Sequence, residues 1–331
     1  MIKRVLTIGE TLIRFNIDNY ENILKNNSNY FIGGDALNVA SMLGINNNDV
    51  EYLTSLNSQS IFNKKIKLHI NSNNVKTTFS EDSLDRIGLY YYTPKLENIN
   101  ATVEYDRANS GFSKMIIDNK TQQKIIESNF DLVHSSGITL AVNKNFSISL
   151  LNIYDSVIKN DKVTSFDLNF RKKLWKSYSE FKKAVSPILH RTSIVFGWLN
   201  ETDSYNKIEN LSLIDFENLT NYTRNNFKNI KIIVSPFKFN KDNKTYVKGF
   251  GFNEGKFFET KAIQYNDKFP VGSGDAFCGM FLNSFLNNLT FEESLIYATS
   301  AYAEKNKYQT DSAPILIKDL NIANKTNEIE R

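Results

Sequence analysis

The chain has 331 residues, of which 41% are hydrophobic and 23% charged, as is ordinary for a soluble globular protein. Its 40 basic and 36 acidic residues are interspersed and leave a net charge of only +4, which gives no support to nucleic-acid binding. A single cysteine rules out a disulfide within the chain, and the three histidines lack the spacing of metal ligands. No apolar stretch approaches the length of a membrane span and no signal peptide precedes the first strand, so we expect a cytoplasmic protein without a membrane partner.

Strand-like and helix-like runs alternate over most of the chain. The first strand is predicted at residues 5–9, and a helix follows at Ala36–Leu43, with Asp35 as its N-cap and Gly44 closing it. Further strands are predicted at 132–137, 163–166, 193–196 and 230–234, with helices at 146–158 and 216–227. This alternation predicts an α/β protein with a doubly wound, mainly parallel sheet, in one domain spanning residues 1–331.

One region breaks the alternation. Residues 86–92 and 102–107 are two strand-like runs joined by a polar turn, with no helix between them. Together with the segment from residue 12 to about residue 32, they predict a small antiparallel β lid, inserted over approximately 12–32 and 86–110. Flaps of this kind often close over a ligand.

The stretch FPVGSGDAF at residues 269–277 carries the most chemical information. Its residues 272–275, Gly-Ser-Gly-Asp, are called the anion turn below, and they place Asp275 on the first turn of a predicted helix. The glycines let backbone N–H groups approach an anion, and the helix start adds partial positive charge. The aspartate supplies a carboxylate near that anion, as the base of a phosphoryl transfer requires. Because the same tetrapeptide also occurs in ordinary capped loops, the turn alone leaves both interpretations open.

Other segments make the kinase interpretation specific. The early motif Gly33-Gly34-x-x-x-Asn38, paired with the late Gly-x-Gly-Asp, resembles the ribokinase-like (PfkB) sugar kinases. Residues 136–141 (SGITLA) and 166–175 (FDLNFRKKLW) resemble the 2-keto-3-deoxygluconate kinases within that family. The predicted lid also matches, through Gly88-Leu89-Tyr90 and Tyr105-x-Arg107. The resemblance extends from residue 5 to about residue 315 and is patchy between the motifs.

The resemblance implies a three-layer ribokinase-like fold and an ATP-dependent kinase. It implies transfer of the γ-phosphate of ATP, with Mg²⁺, to the 6-hydroxyl of 2-keto-3-deoxygluconate. Asp275 is then the base, and the backbone N–H groups of Gly272, Ser273 and Gly274 stabilise charge on the transferred group. In the family, substrate sites lie at the carboxyl edge of the sheet, beneath the lid.

The same resemblance assigns binding residues. For the sugar acid these are Gly33, Gly34, Asn38, Tyr90, Tyr105, Arg107, Asn169 and Arg171; for ATP they are Arg171, Asn200, Ser235, Gly272 and Gly274. The arginines have a physical rationale of their own, because a keto-acid sugar carries a carboxylate and guanidinium groups bind carboxylates through paired hydrogen bonds. Taken alone, each arginine is better explained by a surface or structural ion pair, and it is the surrounding motifs that favour a binding role.

Three positions depart from the family pattern. Phe269 stands where family members usually have the aspartate of a monovalent-cation loop, which argues against potassium activation, although Asp267 lies close by. Residues 235–240 (SPFKFN) lack the glycine of the usual nucleotide loop, so we expect altered contacts with ATP over 235–248. The Asn-x-x-Glu motif that helps organise the metal reads Asn200-x-x-Asp203, which leaves Asp203 as an indirect metal contact.

These departures leave alternatives open. One alternative is another PfkB-type kinase, acting on fructose or on 5-dehydro-2-deoxygluconate. The other is a degenerate binder of sugar acids with little or no kinase activity. Two arginines in the predicted site disfavour fructose, which has no carboxylate. The retained Asp275 disfavours a pure binder, which has no need of a base. By analogy with family members that pair through their lids, we also expect a homodimer or a higher homo-oligomer.

Overall fold

The computed structural model of the protein describes residues 2–17, 29–94, 101–202, 208 and 210–320. These residues form sixteen β-strands and ten α-helices. The strands are β1 Arg4–Ile8, β2 Leu12–Asn16, β3 Tyr30–Gly33, β4 Asp49–Leu53, β5 Ser55–Leu56, β6 Val75–Lys76, β7 Glu81–Asp82, β8 Gly88–Thr93, β9 Thr102–Asp106, β10 Leu132–Ser136, β11 Val163–Asp167, β12 Ile194–Phe196, β13 Ile232–Lys241, β14 Lys244–Asn253, β15 Lys256–Glu259 and β16 Ile263–Tyr265. The helices are α1 Asp35–Ile45, α2 Asn63–Ser72, α3 Gly111–Lys114, α4 Asn119–Glu127, α5 Gly137–Val142, α6 Phe146–Lys159, α7 Tyr178–Leu189, α8 Leu213–Asn226, α9 Ser273–Leu286 and α10 Phe291–Lys305.

The main sheet has ten strands in the order β15-β14-β13-β12-β11-β10-β1-β4-β6, with β16 also pairing with β14. The seven neighbouring strands from β6 to β13 are parallel, and the sheet becomes antiparallel where β13 meets β14. From β1 the chain moves outward to β4 and β6 on one side, and it then adds β10 to β13 on the other. Strand order therefore reverses between β1 and β10, and open α/β sheets bind ligands beyond the carboxyl ends of strands at such a point.

Helices cover both faces of this sheet. Leu6 and Ile8 of β1 pack into a core with side chains of α4 to α8. Their neighbour Val5 packs on the opposite face, with side chains of α1, α2, α9 and α10. Successive residues of a strand point to opposite faces, so both faces of β1 are buried, as expected for doubly covered parallel strands. The predicted three-layer architecture is confirmed.

The lid is a separate four-stranded sheet in the order β3-β2-β8-β9. Its outer pairs, β2–β3 and β8–β9, are antiparallel, and its inner pair, β2–β8, is parallel. Leu12 and Tyr90 of this sheet pack in one apolar cluster with Val271, which precedes the anion turn. The lid therefore touches the body of the protein beside the predicted catalytic residues. The assignment of residues 1–331 to one domain stays a prediction.

Helix α1 begins and continues differently from the prediction. Its N-cap is Gly34, at φ +132°, and Asp35 is the first helical residue. Gly44, predicted to end the helix, lies within it, where an added Cβ would come within 2.1 Å of the Asn73 carbonyl oxygen. The glycine is therefore required by close packing rather than by a helix end. None of the helices in the described part of the chain is long and apolar enough to cross a membrane.

Candidate active site

Two cavities adjoin at the carboxyl edge of the main sheet. The smaller has a volume of about 370 Å³ and the larger about 630 Å³. Five residues line both of them: Asn169, Arg171, Pro236, Gly274 and Asp275. Of the other predicted site residues, Gly34, Asn38, Tyr90, Tyr105, Arg107 and Gly272 line the larger cavity, and Asn200 and Ser235 line the smaller. The structure thus gathers residues from seven segments of the chain around two adjoining cavities.

Two predicted residues, Gly33 and Ser273, line neither of these cavities. Gly33 lies against Asp311, where an added Cβ would be 2.1 Å from the carboxylate Oδ2. The Ser273 side chain is buried, and its hydroxyl accepts a 2.9 Å hydrogen bond from Asn306 Nδ2. The backbone N–H of Ser273 donates to the Pro270 carbonyl oxygen over 3.2 Å, so Ser273 holds the turn in place through both its hydroxyl and its N–H. Asp203 lies outside the described residues.

The anion turn has the geometry that its sequence predicts. Gly272 is at φ +85° and caps helix α9, which begins at Ser273. No side chain caps this helix start, and the first N–H groups of a helix have no partner within the helix. Gly274 lines both cavities, and a Cβ added to it would have no protein atom within 4 Å. Open space at an uncapped helix start suits an anionic group.

Asp275 lies where the two cavities meet. Its Oδ2 accepts a 2.7 Å hydrogen bond from Asn38 Nδ2, and the Oδ1 of Asn38 is buried without a hydrogen-bond partner. Burial raises the pKa of Asp275 to about 7, and the negative charge of Asp35 adds to the rise. A carboxylate with a pKa near neutrality is well matched to taking a proton from a hydroxyl.

The carboxyl group of Asp167, at the end of β11, is the second in this site with a raised pKa. Burial raises its pKa to about 7, Asp35 raises it further, and the guanidinium of Arg171 opposes the rise. The backbone N–H of Asn169 donates to Asp167 Oδ1 over 3.0 Å. Asn169 has φ +37°, a left-handed conformation that is uncommon outside glycine. The chain therefore turns sharply here, between Asp167 and Arg171.

Asp35 was missed as a site residue, since the sequence analysis treated it only as a helix cap. Its carboxylate lines the larger cavity and accepts hydrogen bonds from the Ser136 hydroxyl and, over 3.3 Å, from Asn169 Nδ2. Its position directly after the Gly33-Gly34 pair was a signal that the sequence offered.

The lid residues of the larger cavity are held by partners that the sequence analysis also missed. Arg107 is buried, and its Nε and Nη2 donate to Glu10 Oε2 over 2.8 and 2.5 Å. Tyr90 donates from its hydroxyl to Asp311 Oδ2 over 2.5 Å. Glu10 lies two residues beyond the end of β1, where the strand order reverses, and the sequence could have indicated its role through this position. Nothing near Asp311 in the sequence marked it.

The segment from Ser235 to Asn240 is a strand rather than the altered loop that the sequence analysis expected. Strand β13 runs on to Lys241 and pairs antiparallel with β14 over its whole length. Phe237 lines the smaller cavity and stacks on Phe239 with ring centroids 6.1 Å apart. An aromatic strand therefore replaces the glycine-containing nucleotide loop that is usual in the family. Hydrophobic residues at alternate positions, as in 237 and 239, were the signal for it.

No group of three or more histidine, cysteine, aspartate or glutamate side chains able to hold a metal ion occurs among the residues that the structure describes. Asp267, the acidic residue near Phe269, forms an ion pair with Lys238. Use of Mg²⁺ by this chain stays a prediction, and so does the expectation that potassium does not activate it.

Comparison with known proteins supplies the family. The sequence profile described as pfkB family carbohydrate kinase matches residues 2–308. A 2-dehydro-3-deoxygluconokinase of Escherichia coli K12 is 27% identical over 212 residues, which are 62% of this chain and 66%, just under two thirds, of that protein. A 2-dehydro-3-deoxygalactonokinase of Haloferax volcanii is 24% identical over 95% of this chain and 94% of its own length. The solved structure of a 2-dehydro-3-deoxygluconokinase from Thermotoga maritima has a TM-score of 0.85 at 22% identity, over 97% of both chains.

The chain belongs to the pfkB family of carbohydrate kinases, since the profile covers most of its length. The predicted family, fold and enzyme class are confirmed. The Thermotoga structure, at 22% identity, shares the fold. The two relatives are named for different sugar acids, so the family alone leaves the acceptor open.

Proposed function

We propose that this protein transfers the γ-phosphoryl group of ATP to the 6-hydroxyl of 2-keto-3-deoxygluconate, with Asp275 as the base. The position of Asp275 carries the proposal. Its carboxyl lines both cavities, one suited to each substrate, and burial raises its pKa to about 7. A group that reaches both substrates is what an in-line transfer between them requires.

Asp275 takes the proton of the sugar hydroxyl as its oxygen attacks the γ-phosphorus. The bond between that phosphorus and the bridging oxygen breaks, and its electron pair leaves with ADP. Asn38 donates to Oδ2 of Asp275 and fixes the direction in which the carboxylate points. A positioned base of this kind contributes about 10²–10⁴-fold to the rate.

The start of helix α9 stabilises the transferred group. The N–H groups of Gly274 and Asp275 and the open space beside Gly274 receive phosphoryl oxygens, and Arg171, which lines both cavities, adds positive charge. When bound with the nucleotide, Mg²⁺ neutralises charge on the phosphates. The adenine ring of ATP lies against Phe237 in the smaller cavity, with Asn200 and Ser235 lining the same space.

The larger cavity receives the sugar acid. Asp35 and Asn38 bind its hydroxyl groups, while Tyr105 and Arg107 contact it from the lid. Glu10 engages only the Nε and Nη2 edge of Arg107, so its remaining Nη1 is the donor offered to a carboxylate. The names of the relatives support an acidic keto-sugar over a neutral one.

A second acceptor has a specific observation in its favour. The Haloferax relative, which aligns over 95% of this chain, is named for 2-dehydro-3-deoxygalactonate. That sugar acid differs from 2-keto-3-deoxygluconate only in the configuration at C4, so the same arginines and the same base serve either. Discrimination then rests on the hydroxyl contacts of Asp35 and Asn38.

The test is ADP release by the purified protein with ATP and Mg²⁺ across a panel of acceptors. The panel holds both 2-keto-3-deoxy acids, 5-keto-2-deoxygluconate, fructose and gluconate, with phosphorus NMR to locate the phosphate on the product. We expect the highest kcat/KM with 2-keto-3-deoxygluconate and phosphate on O6. Preference for fructose would overturn the acceptor, and no release with any sugar beside demonstrable sugar-acid binding would favour the degenerate binder. Light scattering of the same sample tests the predicted homodimer.

A further inference from the structure

Lys305, the last residue of helix α10, has a fully buried side chain behind the anion turn. Its Nζ donates to the carbonyl oxygens of Phe269, over 3.1 Å, and of Tyr308, over 3.0 Å. Its Cε lies 3.3 Å from the position that a Cβ on Gly272 would take. A single ammonium group therefore joins the chain just before the anion turn to the chain just after α10.

The environment of this ammonium group resembles that of a bound cation more than that of an ion pair. Buried lysines usually pair with a carboxylate, whereas both hydrogen-bond acceptors of Lys305 are backbone carbonyls. The carboxylate of Asp311 is engaged by Arg14 at Oδ1, over 2.8 Å, and by Tyr90 at Oδ2. Carbonyl oxygens around a small positive charge are also the ligands of bound metal cations.

We propose that Lys305 is a positioning residue for phosphoryl transfer, whose ammonium group acts as a tethered cation that holds the anion turn in its anion-binding conformation. The inference rests on the proposed kinase function and deepens it. Gly272 has no side chain of its own and faces the backbone of residue 311, so the turn depends on what packs behind it. Lys305 supplies that support and adds positive charge on the side away from the substrate.

Two consequences follow for the parent protein. Its activity needs no added monovalent cation, because the ammonium group already occupies the carbonyl oxygens. Burial lowers the pKa of Lys305 to about 8, with Arg14 acting in the same direction and Asp311 and Asp275 opposing it. Activity should therefore fall as the pH rises through about 8 and the ammonium group loses its charge.

The experiment compares Lys305→Ala, which leaves room for a small cation, with Lys305→Met, which keeps the volume but not the charge. Lys307→Met is the matched control, since Lys307 is an exposed partner of Glu304 one turn away. Activity is measured in sodium, potassium, ammonium and methylammonium salts at one ionic strength. Tm is recorded for each variant, and ADP affinity is measured by calorimetry.

We expect Lys305→Ala to lower kcat about 10²-fold, as a misplaced turn would, with little change in the KM for the sugar. Potassium, ammonium or methylammonium should recover about tenfold of that loss in Lys305→Ala, and none in Lys305→Met or Lys307→Met. ADP affinity should likewise fall in Lys305→Ala and be partly restored by these cations in that variant alone. A folded Lys305→Met with parental kcat would overturn the proposal, and so would a folded Lys305→Ala that no cation rescues.

The parent protein keeps the test decisive if the variants do not fold, because potassium stimulation of the parent over sodium would also overturn the proposal. Its failure is distinguishable from failure of the proposed function. If the parent phosphorylates no sugar, the kinase proposal fails, while the ADP affinities of the variants still test Lys305. If the parent is an active kinase and Lys305→Ala retains its kcat, only the tethered cation fails.

Discussion

The larger and smaller cavities share one edge, but their walls are held by different means. The larger is framed by buried ion pairs between distant segments, Arg14 with Asp311 and Arg107 with Glu10, which link the lid to the body. One wall of the smaller is strand β13, which presents Phe237 and is held by hydrogen-bonded pairing with β14, the next strand in sequence. Removing one partner of a buried pair strands a charge and costs several kcal/mol, whereas trimming an aromatic ring on a paired strand has local effects. Mutations near the larger cavity should therefore lower both the free energy of unfolding and substrate binding, whereas those near the smaller cavity should change binding with little change in stability.

The largest effect is expected at the shared edge. Asp275→Asn should lower kcat about 10²–10⁴-fold, because the proton acceptor is lost while Asn38 keeps an oxygen to donate to. Sugar and ATP binding should survive, as equilibrium titration would show. The folded-state pKa of Asp275 is raised to about 7, so its stability contribution is lost as pH rises through that value. The variant should then have a Tm at pH 8 at least equal to the parent's, and near-parental turnover would remove Asp275 from its role.

The two glycines of the anion turn form a matched pair with opposite outcomes. Gly272→Ala puts a Cβ 1.8 Å from the Asp311 carbonyl oxygen at φ +85°, and should lower the free energy of unfolding by about 2 kcal/mol or more. Gly274→Ala meets nothing in the protein, so it should leave the unfolding free energy unchanged or slightly higher. Its methyl group occupies the space of the transferred group, and kcat/KM should fall about 10²-fold. Denaturant unfolding and ADP release measure the two effects, and parental kinetics in Gly274→Ala would show that the phosphoryl group lies elsewhere.

A smaller effect is expected at the wall of the smaller cavity. Phe237→Leu keeps an apolar side chain but loses the ring, and should raise the KM for ATP about tenfold through lost stacking, with the KM for the sugar unchanged. Phe239→Leu is the control, because Phe239 lies on the same strand and stacks on both Phe237 and Tyr246 but does not line the smaller cavity. Equal effects of the two variants would contradict the binding of the adenine ring of ATP against Phe237.

The smallest effect is a shift in pH dependence. Because Asp275 must be ionised to act, kcat/KM should rise with pH through about 7. The charge of Asp167 helps to raise the pKa of Asp275, so Asp167→Asn should move this acidic limb to lower pH. A pH profile measured with and without the substitution checks this, and a limb that stays in place would show that Asp167 does not act on the base.

Some elements lie where local sequence patterns predict them and others do not, and the difference has a physical explanation. The strand β11 and the helix α6 lie within one residue of their predicted bounds, because hydrophobic periodicity is a local property. Helix α1 was misjudged at both ends, since Gly34 and Gly44 are required by contacts with Glu10 and Asn73 rather than by turns. Strand β13 was predicted too short, because its partner β14 sustains it through Pro236, which weakens any local strand prediction.

By itself, the sequence determined the order of the elements, the glycine turn before α9 and the presence of Asp275 on its first turn. Those features follow from backbone sterics and from apolar spacing within a few residues. Only the tertiary structure decided which groups are buried together: Arg14 meets Asp311 across 297 positions, and Lys305 lies beneath Gly272. The pKa values near 7 of Asp275 and Asp167 were decided in the same way. Burial and charge proximity depend on contacts between remote segments, and no local pattern encodes them.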